Sequence, residues 1–255
     1  MQRYFVPDIN FEDDTVRIEG EDARHIQKVM RMSPNDQVIV CNFSEEAFLC
    51  VISTLQGPAG EVIAIVKEKL ATPTEMPINV TIVQGLVKGD KLDWVVQKGT
   101  ELGAASFIPF QAERSVVKWD GGAKISRKRE RLEKIAKEAA EQAHRLKVPS
   151  VRGPLSLEEV IKESEQYDAC LVAYEEEAKQ GKQSGLPTLL ERLPRGASLL
   201  AIIGPEGGLS EREVQALQAH GFMACGLGRR ILRAETASLY LLSALSFYYE
   251  LQRGE

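Results

Sequence analysis

The run Leu199-Leu200-Ala201-Ile202-Ile203-Gly204-Pro205-Glu206-Gly207-Gly208-Leu209-Ser210 decides how the rest of the chain reads. Its apolar first half predicts a buried strand, Leu199–Ile203. Three glycines then let the turn approach a ligand closely. A helix begins at once on the capping box Ser210-x-x-Glu213 and stops at Gly221. Strand, glycine turn and capped helix in that order form a unit of open α/β sheets, which bind ligands beyond the C-terminal ends of their strands. A second loop of this kind follows a short strand predicted at Met223–Leu227. It reads Leu227-Gly228-Arg229-Arg230-Ile231-Leu232-Arg233-Ala234-Glu235-Thr236-Ala237 and sets three arginines and a carboxylate beside the start of a last helix, Glu235–Leu251.

Working back toward the N-terminus, strands are predicted at Ala169–Tyr174, Ser106–Phe110 and Ile78–Gln84. A helix is predicted over Lys91–Leu102, closed by Gly103, and another over Ile125–Leu146 with an alanine-rich stripe, Ala136, Ala139, Ala140 and Ala143. Strands alternating with helices imply a mostly parallel sheet covered on both faces, an α/β fold. The stripe serves either close packing against a second copy or the core of its own subunit. The pattern ends upstream at Ala71-Thr72-Pro73-Thr74-Glu75-Met76-Pro77, two prolines without periodicity, and a domain boundary between 72 and 73 is placed there. Before it lies a small β-rich module: helical spacing over Asp22–Met32, then short strands at Gln37–Cys41, Ala47–Ser53 and Glu61–Val66, separated by turns such as Gly57-Pro58-Ala59-Gly60.

Composition narrows the field. Among 255 residues, four scattered cysteines form no C-x-x-C pair and three histidines lie far apart, so no metal site or disulfide framework is expected. No apolar run reaches the roughly 18 residues of a membrane span, and the N-terminus lacks the apolar core of a secretory signal; a cytoplasmic location is the default expectation. The formal net charge is −5. Met76–Ser150, however, carries 14 Lys and Arg against 9 Asp and Glu, a basic middle in an acidic chain. Its densest part, Lys124–Arg131, is read either as an RNA contact or as the solvated start of a helix. The P-loop, the dinucleotide fingerprint, the glycine loop of Rossmann-type methyltransferases, H-E-x-x-H and G-x-S-x-G are all absent.

The pairing of Gly204-Pro205-Glu206-Gly207-Gly208-Leu209-Ser210 with Leu227-Gly228-x-x-Ile231-Leu232-Arg233-x-Glu235-Thr236-Ala237 resembles the RsmE family of the SPOUT superfamily. So do Gln97-Lys98-x-Thr100-Glu101-Leu102-Gly103, Glu113-Arg114, Glu141-Gln142, Arg3-Tyr4-Phe5 and His25-Ile26-x-Lys28-Val29-Met30-Arg31-Met32, in order along the whole chain. Ala234 departs from the threonine of many relatives. The resemblance implies an N-terminal PUA-like β-barrel over residues 1–72 and a SPOUT α/β domain with a deep trefoil knot over residues 73–255. It implies a homodimer using S-adenosylmethionine (S-adenosyl-L-methionine) to methylate N3 of a uridine in the RNA of the small (16S) ribosomal subunit.

By position, the implied cofactor-binding residues are Ala173 and Tyr174, with Glu175 beside them, then Ile203, Gly204, Pro205, Glu206, Gly207 and Gly208, and then Leu227, Gly228, Ile231, Leu232, Thr236 and Ala237. Arg233 is the candidate to hold negative charge on the uracil, and Glu235 or Glu101 to take its proton. Glu235 reads equally as a first-turn carboxylate favoured by the helix dipole, and Lys98–Glu101 as a surface pair of little worth. Candidate phosphate contacts are Arg3, Arg24, Lys28 and Arg31 in the first domain and Lys88, Lys91, Lys98 and Arg114 in the second. Two rivals stand beside this reading: an RNA-binding protein without catalysis, and a SPOUT methyltransferase acting on another RNA.

Overall fold

The computed structural model describes residues 1–55, 60–71, 74–174 and 185–252. The chain divides into two compact units, residues 1–75 with 140–148, and residues 76–139 with 149–255.

The first unit is a six-stranded sheet. Its strands are β1 (Arg3–Phe5), β2 (Phe11–Glu12), β3 (Thr15–Ile18), β4 (Gln37–Cys41), β5 (Ala47–Leu55) and β6 (Val62–Leu70), in the spatial order β1-β4-β5-β6-β3-β2. Every pairing is antiparallel except β1 with β4. Register shifts between Leu49 and Cys50 and between Ile52 and Thr54 bend β5 against β6. The curled sheet closes over one apolar core to which both ends contribute: Tyr4, Val16, Val38, Val40, Ile52 and Val62. The helical spacing after Asp22 becomes one short helix, α1 (Gly20–Arg24), running into a wider turn, His25–Val29.

Side-chain alternation explains why β4 is apolar on both faces. Val38 and Val40 enter the barrel core, whereas Ile39 and Cys41 pack with Phe5, Ala47 and Ala140 beside Leu146 and Val148. The segment 140–148 therefore covers the outer face of the sheet. A polar clamp fixes it there. Arg3 Nη1 donates to the carbonyls of His144 at 2.7 Å and Arg145 at 2.6 Å, and the buried Arg145 guanidinium meets Glu75, which also accepts from the Leu146 N–H at 2.8 Å. This corrects one expectation. Arg3 is only 3% exposed and cannot reach an RNA phosphate, because its charge is committed to the end of a helix 140 residues away.

The second unit is built on a six-stranded, wholly parallel sheet. Its strands β7 (Asn79–Gly85), β8 (Ser106–Phe110), β9 (Ser150–Val151), β10 (Ala169–Ala173), β11 (Ser198–Ile203) and β12 (Met223–Cys225) lie in the order β12-β10-β11-β7-β8-β9. The chain moves outward from β7 through β8 to β9, then returns to build β10, β11 and β12 on the other side, which makes a topological switch point beside β7. The helices are α2 (Lys91–Glu101), α3 (Gly122–Gln142), α4 (Leu157–Ser164), α5 (Gly185–Arg192), α6 (Glu211–Ala219) and α7 (Ala234–Ser246), the last continuing as a turn over Phe247–Gln252. Both Ser156 and Ser210 close reciprocal capping boxes, with Glu159 and Glu213. Ala136, Ala139 and Ala140 of the alanine stripe are buried within the chain and Ala143 is half-buried, so the first three pack within their own subunit.

The predicted linker is not bare. Thr72 and Pro73 lie outside the described residues, but Glu75 is in the clamp and Met76 is buried. The four cysteines are free thiols, and burial pushes Cys41 and Cys170 up to about 11 and Cys50 and Cys225 up to about 12.

Candidate functional site

Beyond the C-terminal ends of β10, β11 and β12 the second unit opens a cavity of about 690 Å³, within the range of small-molecule sites. Three chain segments meet there. Ala173 and Tyr174 end β10, and the Tyr174 N–H donates to the Cys225 carbonyl at 2.9 Å, continuing the parallel ladder to the cavity edge. Ile203 ends β11, and Gly204, Pro205, Glu206, Gly207 and Gly208 form one wall. Leu227, Gly228, Ile231, Leu232, Arg233 and Ala237 form the other.

Glycine is required where the first wall is braced. A Cβ on Gly85, at the end of β7, would stand 2.4 Å from the Pro205 nitrogen, and one on Gly207 3.1 Å from the Cβ of Arg114. Gly208 takes φ +69°, a left-handed conformation that glycine adopts without strain. The buried Gln84 amide lies in reach of the Gly204 carbonyl at 3.4 Å and accepts from Ser238 Oγ, on α7, at 2.5 Å. From the opposite side Arg114 Nη1 approaches the carbonyls of Gly207 and Leu209 at 3.4 and 3.3 Å, and Ser210 Oγ donates to Glu113 at 2.7 Å.

Lys91, at the start of α2, is the electrostatic centre. Its Nζ donates to Glu206 at 2.9 Å and lies 3.8 Å from Glu235 Oε2 in the first turn of α7. Burial works against the charge on Glu206. The Lys91 ammonium, with backbone N–H groups from Lys88 and Glu206 itself, outweighs it and holds the carboxyl below the usual carboxylate range. Hydrogen bonding to Glu206 in turn raises Lys91 above the ordinary lysine value, with burial and, more weakly, the nearby Arg233 opposing. Glu235 Oε2 is buried and accepts no hydrogen bond among the described residues.

Residues 74–246 match the family model of the RNA methyltransferase domain, and residues 18–64 match that of the RNA methyltransferase PUA domain. The chain is 48% identical to the ribosomal RNA small subunit methyltransferase E of Bacillus subtilis, over 100% of both chains. The chain belongs to the RsmE family. The Mycobacterium bovis protein of the same name is 30% identical over 89% of this chain and 84% of its own. The crystal structure of the Neisseria gonorrhoeae ribosomal RNA small subunit methyltransferase E bound to S-adenosyl methionine superposes with a TM-score of 0.84, at 29% identity over 98% of each chain.

Set against the family expectations, 13 of the 14 cofactor positions named from the sequence line this one cavity; Thr236 is exposed outside it, and Glu175 lies outside the described residues. Arg233 lines the cavity, and Glu235 reaches its edge through Lys91. Glu101 is not brought there. It follows Lys91 by ten residues in the same helix, about 15 Å along the axis, and pairs with Lys98, whose ammonium lies over the Trp94 ring. Lys91 and Arg114, named as phosphate contacts, both line the cavity, and Lys91 is engaged with carboxylates. Arg24, Lys28 and Arg31 are exposed on the first unit beside exposed Val29 and Met30.

Sequence reasoning missed Leu209, Glu211, Arg229, Arg230 and Ala234, all of which line the cavity. The arginines stood inside the quoted motif; their spacing between Gly228 and Leu232 was the available signal.

Proposed function

We propose that this chain transfers the methyl group of S-adenosylmethionine to N3 of a uridine in small-subunit ribosomal RNA. The observation that carries the reading is the cavity at the ends of β10, β11 and β12, where both glycine loops, Arg233 and the Lys91 cluster converge. Its residues suit the cofactor. Glycine backbone at 204, 207 and 208 can hydrogen-bond an adenosine, Ile203, Leu227 and Leu232 offer apolar surface, and Glu206 and Glu211 add carboxylates to the lining for its positive charge. When bound, S-adenosylmethionine supplies an electrophilic methyl group on a sulfonium.

The chain must do the rest. Uracil N3 is a weak acid whose lone pair is free only once its proton leaves. Glu235 takes that proton: its Oε2, 3.8 Å from the Lys91 ammonium, accepts no hydrogen bond among the described residues and so has a lone pair free for it. Arg233, exposed at the cavity mouth, holds the negative charge spreading onto the uracil oxygens. Residues 73–255 serve as the methyltransferase domain, with the loops after β10, at Ile203–Gly208 and at Leu227–Leu232 forming the trefoil knot of the class. Residues 1–72 serve as the RNA-docking domain, presenting Arg24, Lys28 and Arg31. The working form is a cytoplasmic homodimer. Trp94 on α2 and Phe247 and Leu251 in the turn that continues α7 are exposed at 50%, 57% and 74%, apolar surface that a second copy would cover.

The test is incubation with methyl-labelled S-adenosylmethionine and undermethylated small subunits, large subunits or transfer RNA, followed by identification of the labelled nucleoside. N3-methyluridine from small subunits alone is expected. Label in transfer RNA or on a ribose overturns the substrate, and no label in any RNA overturns the enzyme.

A further inference from the structure

The charge lining the cavity exceeds what the cofactor can use. Among the described residues, Lys91, Arg114, Arg229, Arg230 and Arg233 line it together with Glu206 and Glu211, five cationic groups and two anionic ones. Lys91 is taken up by Glu206 and Glu235, and Arg114 by loop carbonyls. Arg229, Arg230 and Arg233 remain, and none of their guanidiniums makes a hydrogen bond or ion pair with any described residue. S-adenosylmethionine carries a net positive charge at neutral pH, so three guanidiniums without an ion-pair partner among the described residues repel it rather than hold it. In a chain of net charge −5, a concentration of free guanidinium at one cavity mouth needs an anionic ligand.

The local geometry narrows that ligand to a strand. Gly228 takes φ +98° and turns the chain so that Arg229 and Arg230 both stand exposed, and Ile231 follows with 74% of its surface open. A free phosphate would use the guanidiniums and leave the isoleucine in water. Single-stranded RNA presents phosphates and apolar base faces side by side, which matches two arginines followed by an exposed aliphatic side chain.

We infer that Arg229 and Arg230 form a clamp for the phosphates next to the target nucleotide, with Ile231 against a neighbouring base face, separate from the cofactor subsite in the same cavity. The inference rests on the RNA methyltransferase reading above and adds to it the residues that hold the substrate strand at the cavity mouth.

The test compares the full-length protein with the double variants R229Q/R230Q and R229K/R230K, on undermethylated small ribosomal subunits over a range of salt concentrations. KM for subunits and the direct binding constant are measured together with the affinity for S-adenosylmethionine. The glutamine pair is expected to raise KM at least tenfold and to lower the slope of log binding constant against log salt by about 1.4, two contacts at about 0.7 each on a single strand. The lysine pair, keeping the charge, is expected to retain the slope, while cofactor affinity stays within about twofold in both. Wild-type KM and slope in the glutamine pair would overturn the clamp. So would a loss of cofactor affinity with KM unchanged, which would assign the arginines to the cofactor. Because subunit binding is read directly, the clamp is judged even if the wild type transferred no methyl group, an outcome that would sink the methyltransferase reading instead.

Discussion

The two loops that wall the cavity are built on opposite principles. The wall from Gly204 to Ser210 is gripped along its length: Gln84 at Gly204, Lys88 and Lys91 at Glu206, Arg114 at Gly207 and Leu209, Glu113 at Ser210. The wall from Leu227 to Arg233 is held at its ends, by β12 and by the first turn of α7, where the Ala237 N–H donates to the Arg233 carbonyl at 2.8 Å. Between those ends Arg229, Arg230, Ile231 and Arg233 face solvent. A braced backbone suits a cofactor of fixed shape, because order already present is not lost again on binding. Long exposed cationic side chains suit a polymer that arrives by electrostatic attraction. One cavity thus has a rigid side and an adaptable side.

The largest effect is expected where the rigid wall is braced most tightly. In Gly85→Ala the new methyl meets the Pro205 backbone nitrogen, so the loop must shift. A stability loss of about 3 kcal/mol in urea melts and a loss of cofactor affinity of about 100-fold in calorimetry are expected, with RNA binding retained. Equal losses for cofactor and RNA would erase the distinction between the walls. Next comes the carboxylate just past the adaptable wall. Glu235→Gln should slow single-turnover methyl transfer about 100-fold or more at unchanged cofactor affinity, whereas Glu101→Gln should stay within about twofold. The reverse order would move the proton acceptor from α7 to Glu101 at the C-terminal end of α2.

A smaller loss follows from Ser238→Ala, which strips the buried Gln84 carbonyl oxygen of its donor at 2.5 Å and should cost about 1–2 kcal/mol in thermal or urea unfolding. The smallest effect tests the charge centre. Lys91→Met should weaken cofactor binding about fivefold and change the acid limb of stability. In the wild type Glu206 titrates lower folded than unfolded, so the unfolded state binds more protons and stability rises with pH through the carboxylate range. Without Lys91, burial dominates and that rise should vanish. Parallel stability–pH curves for the two proteins would contradict the role given to Lys91.

What could be read from the sequence was local. A strand, a glycine turn and a capped helix are contiguous, so both cavity walls were legible in the residues themselves. Three-residue β1 carries no periodicity and is a strand only because β4 lies beside it, so Arg3 looked like a surface charge until its partners at His144 and Arg145 came into view. The end of α3 continued a helical stripe without a sign that residues 140–148 belong to the other unit. The pairing of Lys91 with Glu206 spans 115 positions, and no spacing rule reaches that far. Helix α4 did carry readable signals, the Ser156–Glu159 box and the apolar spacing Leu157, Val160 and Ile161 behind it, and the sequence reading passed over both.

The most direct test of the central claim is a crystal structure of the protein with S-adenosylmethionine. The account predicts density for the cofactor between the Gly204–Gly208 wall and Leu227–Leu232, with the Arg229 and Arg230 guanidiniums making no contact with it. Cofactor density elsewhere, or inside the cavity with those two arginines coordinating its carboxylate, would contradict the division of the site into a rigid cofactor wall and an adaptable RNA wall.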